Sequence, residues 1–371
     1  MKILHVINSL RTGGAERLVV EMLPVMSNAG HDVRLLLLQE NAAAPFERQV
    51  RSSGMHVDVV TAVGGLYSPL YVGKLVPYMR GYDVVHVHLF PSQYWAALAH
   101  SLSGRKSVLV TTEHNTFNTR ARFLLTTWAD RLVYGCYDGI VCISQATRDF
   151  MHGRVPENVA LKVVENGIRL PSVADAVWCL SRKGIVDGVG DDDFMVLQVA
   201  RFSEQKNQDC LIRALKTLPD NVHAVFAGDG VRLNICKKLA DDIGVASRAH
   251  FLGQRTDIDD LWTAADIGVM SSHWEGFGLA ALEGMARKRP VVGSRVEGLS
   301  EVINDDDLLF SPDNDGELAG KISSLMNDEG LYRRKADACY ARSQMYSIEK
   351  TAADYLAFYA QLLKAKRDGR K

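Results

Sequence analysis

The 371-residue sequence predicts an α/β protein built from two doubly wound parallel sheets. Three observations carry this expectation. Short, nearly continuous apolar runs alternate with helix-length segments, which requires parallel strands joined by crossover helices. The apolar runs lack the in–out alternation of a half-exposed sheet, so both faces of each sheet should be covered. The rhythm also breaks once, at residues 171–193, and then restarts.

In the first half the expected strands are Ile3–Ile7, Val33–Leu38, Val57–Val60, Val84–His88, Val108–Thr112 and Gly139–Ile143. Helical segments fall between them at Ala15–Ala29, Pro45–Ser53, Leu70–Arg80, Ser92–Ser103 and Phe123–Gly135. Pro171, Gly184, Gly188, Gly190 and Asp191–Asp193 mark 171–193 as a linker. The second half gives strands Phe194–Val199, Val222–Phe226, Ala249–Leu252, Ile267–Met270, Pro290–Val292 and Leu308–Phe310. Its helices are Asp209–Thr217, Val231–Ile243, Asp257–Ala265 and Leu279–Arg287, and the chain closes with helices at Gly316–Met326, Leu331–Arg342 and Ile348–Lys364. The domains therefore read as 1–170 and 194–347. Ligands of such sheets bind outside the carboxyl ends of the strands, and with two sheets the cleft between them is the expected site.

Hydrophobic residues make up 47% and charged residues 23%, an ordinary globular composition. A net charge of −1 argues against a nucleic-acid partner. Residues 1–170 carry a net +4 and the remainder −5. A basic first half suits an anionic partner or membrane surface; ordinary scatter of surface charge is the alternative. The six cysteines are dispersed, with no C-x-x-C pair, and read as reduced and mostly buried in a cytoplasmic protein. The opening residues read as a first strand rather than a signal peptide. No apolar run approaches the ~18 residues of a membrane span, so any membrane contact should be peripheral.

The stretch Ser271–Ala286 follows a strand and opens a helix. Its Gly276-Phe277-Gly278 loop lets backbone approach a ligand closely. A helix N-terminus behind glycines favours phosphate. Glu275 stands before the loop and Glu283 lies within the helix, where carboxylates accept hydrogen bonds from sugar hydroxyls. The alternative is a capped helix with two surface glutamates. A glycosidase pair fits poorly: residues eight apart on a helix are separated by roughly 12 Å, whereas glycosidase carboxylates lie about 5–9.5 Å apart.

Arg201 and Lys206 follow the first strand of the second half, where fixed cations could hold a diphosphate and stabilise it as a leaving group; solvated loop cations are the plain alternative. Gly13-Gly14 opens the first helix but is neither G-x-G-x-x-G nor a Walker loop. His114 ends a strand and could exchange a hydrogen bond with a sugar hydroxyl, or be a structural loop residue. His86 and His88 share a strand face; without a third ligand at suitable spacing, a core role is expected rather than a metal site. Asp191–Asp193 and Asp305–Asp307 each contain D-x-D, and solvated acidic turns are the better reading of both.

Together these residues resemble the retaining glycosyltransferases of family 4, with the GT-B fold of two Rossmann-like domains facing across a cleft. The resemblance runs nearly end to end. It rests on Glu275-x7-Glu283, Arg201 with Lys206, Gly13-Gly14, Val164-Glu165-Asn166-Gly167-Ile168, Gly228-Asp229-Gly230, Phe251-Leu252-Gly253 and Pro290-Val291-Val292-Gly293-Ser294. It implies that Arg201 and Lys206 bind the donor diphosphate, Glu283 the ribose and Glu275 the donor-sugar hydroxyls. The backbone of Gly276, Phe277, Gly278 and Leu279, with Gly13-Gly14, would contact phosphate or sugar; Gly253 to Arg255 would frame the base; His114 would lie near the anomeric carbon. It further implies retention of configuration, no metal or other cofactor, and a last helix (348–371) that returns to the first domain.

The expected activity is transfer from a nucleotide sugar, with UDP the expected base, to a glycan or lipid-linked acceptor in cell-surface polysaccharide or glycolipid synthesis. The first domain would bind the acceptor. Phe117–Leu125 and Trp128 mix cations with large apolar residues and could rest peripherally on the anionic inner face of a membrane, an ordinary amphipathic surface helix being the alternative. The alternatives are a sugar-nucleotide epimerase of the same fold, or a sugar-nucleotide-binding protein without catalysis. The sequence fixes no oligomeric state. Arg289 where the family usually has glycine, Gly284 where alanine is common, and the bulky Trp274 depart from the pattern and leave the sugar open.

Overall fold

The computed structural model describes residues 1–11, 13–42, 44–114, 124–172, 182 and 185–369. The chain divides into two compact units, Met1–Arg169 with Ile348–Lys371, and Leu170–Ser347.

The first unit contains β1 (Lys2–Ile7), α1 (Gly14–Asn28), β2 (Asp32–Leu37), α2 (Pro45–Ser52), β3 (His56–Val59), α3 (Leu70–Leu75), β4 (Val84–His88), α4 (Ser92–Leu102), β5 (Val108–Glu113), α5 (Leu124–Tyr134), β6 (Gly139–Cys142), α6 (Gln145–Met151) and β7 (Ala160–Val163). The strands form one parallel sheet in the order β3-β2-β1-β4-β5-β6-β7. The order reverses between β1 and β4, and such a reversal opens a crevice at the strands' carboxyl ends.

Alternation along each strand sends side chains to two separate cores. Ile3, Ile7, Val84, Val108 and Val110 face α1 and the final helix, whereas Leu4, Val6, Val85, Val87 and Leu109 pack with Tyr71, Leu75, Ala96 and Tyr134 on the other side. The helix expected over Leu70–Arg80 stops at Leu75 and continues as a 3₁₀ turn, Val76–Met79. Pro77 explains the change, because it lacks an N–H and its ring crowds the preceding turn. The sequence reading missed β7, a four-residue strand at the sheet edge, and α6, whose N-cap Ser144 accepts a hydrogen bond from the Thr147 N–H.

The second unit contains β8 (Phe194–Val199), α7 (Gln208–Ala214), β9 (Val222–Ala227), α8 (Leu233–Asp242), β10 (Ala249–Phe251), α9 (Ile258–Ala264), β11 (Ile267–Met270), α10 (Leu279–Met285), β12 (Val291–Ser294), α11 (Leu299–Ile303), β13 (Leu309–Phe310), α12 (Asp315–Asn327) and α13 (Glu329–Ser343). Its sheet is parallel too, in the order β10-β9-β8-β11-β12-β13, with its reversal between β8 and β11. Trp262, Phe202, Phe226 and Phe310 are fully buried in it. The doubly wound α/β class expected from the sequence is the fold observed in both units.

The last helix, α14 (Ile348–Asp368), lies on the first unit. Tyr355, Phe358, Tyr359 and Leu362 enter the core beside α1. Gly139 leaves room for it: a Cβ there would stand 2.7 Å from the Phe358 ring.

Candidate functional site

In the second unit the loops after β8 and β11 emerge at the strand-order reversal, and they are stitched together. The His273 N–H donates to the Gln205 carbonyl (2.8 Å), and Gln205 Nε2 donates to the Trp274 carbonyl (3.0 Å). Ser271 Oγ lies 2.7 Å from the Asn207 carbonyl oxygen, and the amide of buried Gln198 donates to the Lys206 carbonyl (3.1 Å). Gln208 Nε2 likewise donates to the Arg201 carbonyl (3.0 Å). The backbone at both expected cations is thus fixed by buried amides, which the sequence reading did not single out.

Lys206 Nζ is ion-paired with Glu275, which also accepts from Ser272 Oγ (3.2 Å). The sequence assigned these two side chains separate tasks, and the fold pairs them directly. Arg201 is exposed and makes no ion pair among the described residues. The Gly276–Gly278 loop runs on to Gly278, whose φ of 98° caps α10. Phe277 is buried edge-on against Tyr346. Gly298, absent from the sequence reading, has φ 76°, and a Cβ there would come 2.6 Å from the Glu275 carbonyl oxygen. Only glycine tolerates both constraints.

Glu283 is buried within α10. Trp262 Nε1–H donates to its carboxylate at 3.4 Å. The indole is fully buried and packs over two glycines: a Cβ at Gly284 or at Gly268 would meet the ring at 2.7 Å. Arg289 caps the same place, donating from Nη2 to the Thr263 carbonyl (2.8 Å) and from Nε to the Trp262 carbonyl (3.3 Å). Of the departures from the family pattern, Gly284 thus makes room for the large side chain at 262, and Arg289 binds the backbone beside it. Trp274 is 44% exposed and leans on His273.

Gly253 takes φ 67°, and its carbonyl accepts from the Gly228 N–H (2.8 Å). Gly228 and Gly230 lie against the loop that carries Arg201, with 2.0 Å between a Cβ at 228 and the Ala200 carbonyl, and 2.3 Å between one at 230 and that of Phe202. Arg255 is tied to Asp257 through Nε (2.7 Å) and Nη2, and the guanidinium holds the Asp257 carboxyl below its ordinary range.

In the first unit Gly13 is the N-cap of α1 and Gly14 its first residue. His114 follows β5 and is half-buried. Its Nε2 lies 3.4 Å from Nδ1 of His88, and Nε2 of His88 lies 3.0 Å from Nδ1 of His5. Burial lowers His114 to about 4 and His5 to about 3, and drives His86 and His88 well below the ordinary histidine range. A third histidine does stand beside His86 and His88, contrary to the sequence reading: His5 comes from the adjacent strand, opposite His86 in register.

The three place ring nitrogens within 4.8 Å of one another. The rings lie near parallel, with interplanar angles of 6° to 17°. Every ring nitrogen of the three except His5 Nε2 has a hydrogen-bond partner, His86 meeting Tyr359 at Nδ1 and Thr112 at Nε2.

The acidic turn Asp305–Asp307 is neutralised by Lys335, whose Nζ reaches Asp305 (2.8 Å) and Asp307 (2.7 Å). Asp191 and Asp193 accept from the backbone N–H groups of Arg182 (2.8 Å) and Gly190 (2.7 Å). Cys136, Cys142, Cys210, Cys236 and Cys339 are free thiols; Cys179 lies outside the described residues. Of the apolar and cationic stretch 117–125, residues 117–123 lie outside the described residues. Trp128 and Leu132, one turn apart on α5, are 68% and 70% exposed. Among the described residues no helix is long and apolar enough to cross a membrane.

Two family models match, Glycosyltransferase Family 4 over residues 12–170 and Glycosyl transferases group 1 over residues 186–342. The chain is 26% identical over 309 residues to the N-acetyl-alpha-D-glucosaminyl L-malate synthase of Bacillus anthracis, covering 78% of this chain and 77% of that protein. It is 24% identical over 312 residues to the UDP-Gal:alpha-D-GlcNAc-diphosphoundecaprenol alpha-1,3-galactosyltransferase of Escherichia coli, with 80% of each covered. Among solved structures, Anabaena Alr3699/HepE in complex with UDP and glucose superposes with a TM-score of 0.84 at 23% identity, over 97% of this chain and 100% of that one. WaaG, a glycosyltransferase involved in lipopolysaccharide biosynthesis, gives 0.71 at 18% identity, over 95% and 99%.

Proposed function

The chain belongs to the family 4, group 1 glycosyltransferases of the GT-B fold, and from that premise we propose that it moves a sugar from a UDP-linked donor, with retention and without a metal, to a glycan or lipid-linked acceptor. The observation that carries the reading is the pairing of Lys206 with Glu275 beside exposed Arg201, at the strand-order reversal of the second sheet. Arg201 and Lys206 hold the diphosphate. The N–H groups of the Gly276–Leu279 backbone face its oxygens. Glu275 accepts from donor-sugar hydroxyls, Glu283 from the ribose, and Gly253 to Arg255 frame the base. Gly13-Gly14 add backbone contacts, and His114 orients the sugar.

In the proposed step the acceptor oxygen bonds to the anomeric carbon on the face from which the diphosphate departs. The C–O bond to phosphate breaks, its electron pair stays on the phosphate oxygen, and the acceptor proton passes to that leaving group. Arg201 and Lys206 stabilise the charge that develops there. The first unit is assigned the acceptor. Trp128 and Leu132 with exposed Arg131 suit a peripheral contact with the anionic inner face of a membrane, which is the proposed location. The relative named as a GlcNAc-diphosphoundecaprenol galactosyltransferase supports a role in cell-surface glycan synthesis.

A thermal-shift screen against nucleotide sugars, followed by transfer assays with Arg201→Ala, tests the reading. A donor bound by the folded chain raises its melting temperature, and loss of the leaving-group cation lowers turnover by about 100-fold. Wild-type turnover in the variant, or net sugar conversion with donor alone, would overturn it.

A further inference from the structure

The two histidines behind His114 have no part in the chemistry described so far. They are nevertheless arranged as a line. His5 Nδ1 meets His88 Nε2 at 3.0 Å, and His88 Nδ1 meets His114 Nε2 at 3.4 Å. The line ends at His5 Nε2, which is buried and has no partner among the described residues. At the other end, His114 Nδ1 also has no partner among them.

Each contact in a line of neutral imidazoles needs one N–H and one lone pair, so the protons must all point the same way. Two directions exist. If protons pointed from His114 towards His5, the buried His5 Nε2 would carry an N–H with no acceptor, an arrangement that proteins rarely tolerate. If they point from His5 towards His114, His5 Nε2 is left as a bare lone pair, and the unpaired N–H falls on Nδ1 of half-buried His114 instead of on a fully buried nitrogen. Burial keeps the rings neutral, which preserves the one-proton-per-ring condition.

We propose that His5 and His88 are positioning residues that lock His114 in its Nδ1–H tautomer, so that it presents a hydrogen-bond donor to a substrate oxygen and cannot act there as a base. The substrate part of this inference rests on the reading of His114 given under Proposed function; the tautomer part does not.

The ring planes are held from the side. His86 stacks on His88 at 4.3 Å between centroids. His86 is itself pinned through Nδ1 by Tyr359 and through Nε2 by Thr112 (2.8 Å), which also meets the Tyr355 hydroxyl (3.0 Å). The final helix thus supplies the two tyrosines that keep the histidine stack in register. A shared metal ion is the competing use of these rings, and all their nitrogens except His5 Nε2 are already engaged in hydrogen bonds.

Long-range ¹H–¹⁵N correlation spectra of the full chain labelled at histidine nitrogens test the proposal near neutral pH. The expected result is a protonated-type Nδ1 and an imine-type Nε2 on His5, His88 and His114. His88→Phe keeps the stack and removes both hydrogen bonds, and His114 should then lose its single tautomer. A wild-type His114 protonated at Nε2, or a tautomer unchanged by His88→Phe, overturns the proposal. Turnover that survives His114→Phe would count against the placement of His114 at the substrate and leave the tautomer result standing.

Discussion

Trp262 closes over Gly284: a Cβ at position 284 would stand 2.7 Å from the indole ring, whose N–H reaches the neighbouring Glu283 carboxylate. The large residue and the missing side chain are one packing solution. Gly284→Ala alone should destabilise the second unit by roughly 1–3 kcal/mol through overpacking. In a Trp262→Phe background, where the ring is shorter, the same alanine should cost much less. Thermal denaturation of the two single variants and the double variant reads the coupling directly, and simple additivity would contradict it.

The Lys206–Glu275 pair implies that the free protein neutralises the cation proposed to bind phosphate. Glu275→Gln should release Lys206, tightening a free nucleoside diphosphate by about three- to tenfold, since one screened charge interaction is worth roughly 1 kcal/mol. The same change removes the proposed sugar contact and should slow transfer by about 100-fold. Calorimetric titration with UDP beside a turnover assay checks both. Weaker UDP binding in the variant would show that Glu275 does not restrain Lys206.

Gly298 and Gly244 make a matched pair of positions. Their φ angles are 76° and 77°, but a Cβ at 298 would come 2.6 Å from the Glu275 carbonyl oxygen, whereas one at 244 meets nothing within 4 Å. Alanine at 244 should cost about 1 kcal/mol of backbone strain. Alanine at 298 adds roughly 1–3 kcal/mol of overpacking and should shift the Glu275 loop, raising the donor KM. Equal Tm and KM changes for the two variants would rule out this role for Gly298.

Histidines buried in neutral form make stability fall in acid. Unfolded histidine takes up a proton near 6.5, whereas folded His5 waits until about 3 and His114 until about 4. The unfolded state therefore binds more protons below pH 6.5, and the stabilisation present above that pH is lost as pH falls. The groups that share the site, His86, His88, Tyr355 and Tyr359, are buried with them and add no carboxylate to reverse the sign. His5→Gln should reduce the slope of unfolding free energy between pH 6 and 5 by about 1.4 kcal/mol per pH unit. Urea unfolding across that range measures it; an unchanged slope would mean that His5 titrates normally.

Much of this was legible in the chain. Phe194–Val199 and Ile267–Met270 read as strands with their observed bounds, so the loops holding Arg201 and Glu275 fell at carboxyl ends of strands by inspection. Short elements gave too little periodicity to register, as with α11, a five-residue helix. What stayed hidden depends on contacts far apart in sequence. His5 lies 83 residues before His88, and Tyr359 lies 273 residues after His86. No spacing rule joins them, because strand order in a doubly wound sheet sets those neighbours. Gly284 was noticed as unusual, but its cause, a tryptophan 21 residues before Glu283, needed the packing.

The placement of α14 carries a consequence for synthesis. The first unit is assembled from Met1–Arg169 and Ile348–Lys371, with the whole of the second unit encoded between them. On the ribosome the second unit is available to fold while one face of the first sheet still lacks its cover. Until Tyr355 and Tyr359 emerge, His86 and Thr112 keep their bond to each other but lack the tyrosine hydroxyls, and the sheet must wait in an unfinished state. Vectorial translation therefore completes the earlier-made unit last, and a chain ended before residue 348 would carry every residue of the second unit while lacking the helix that covers the first.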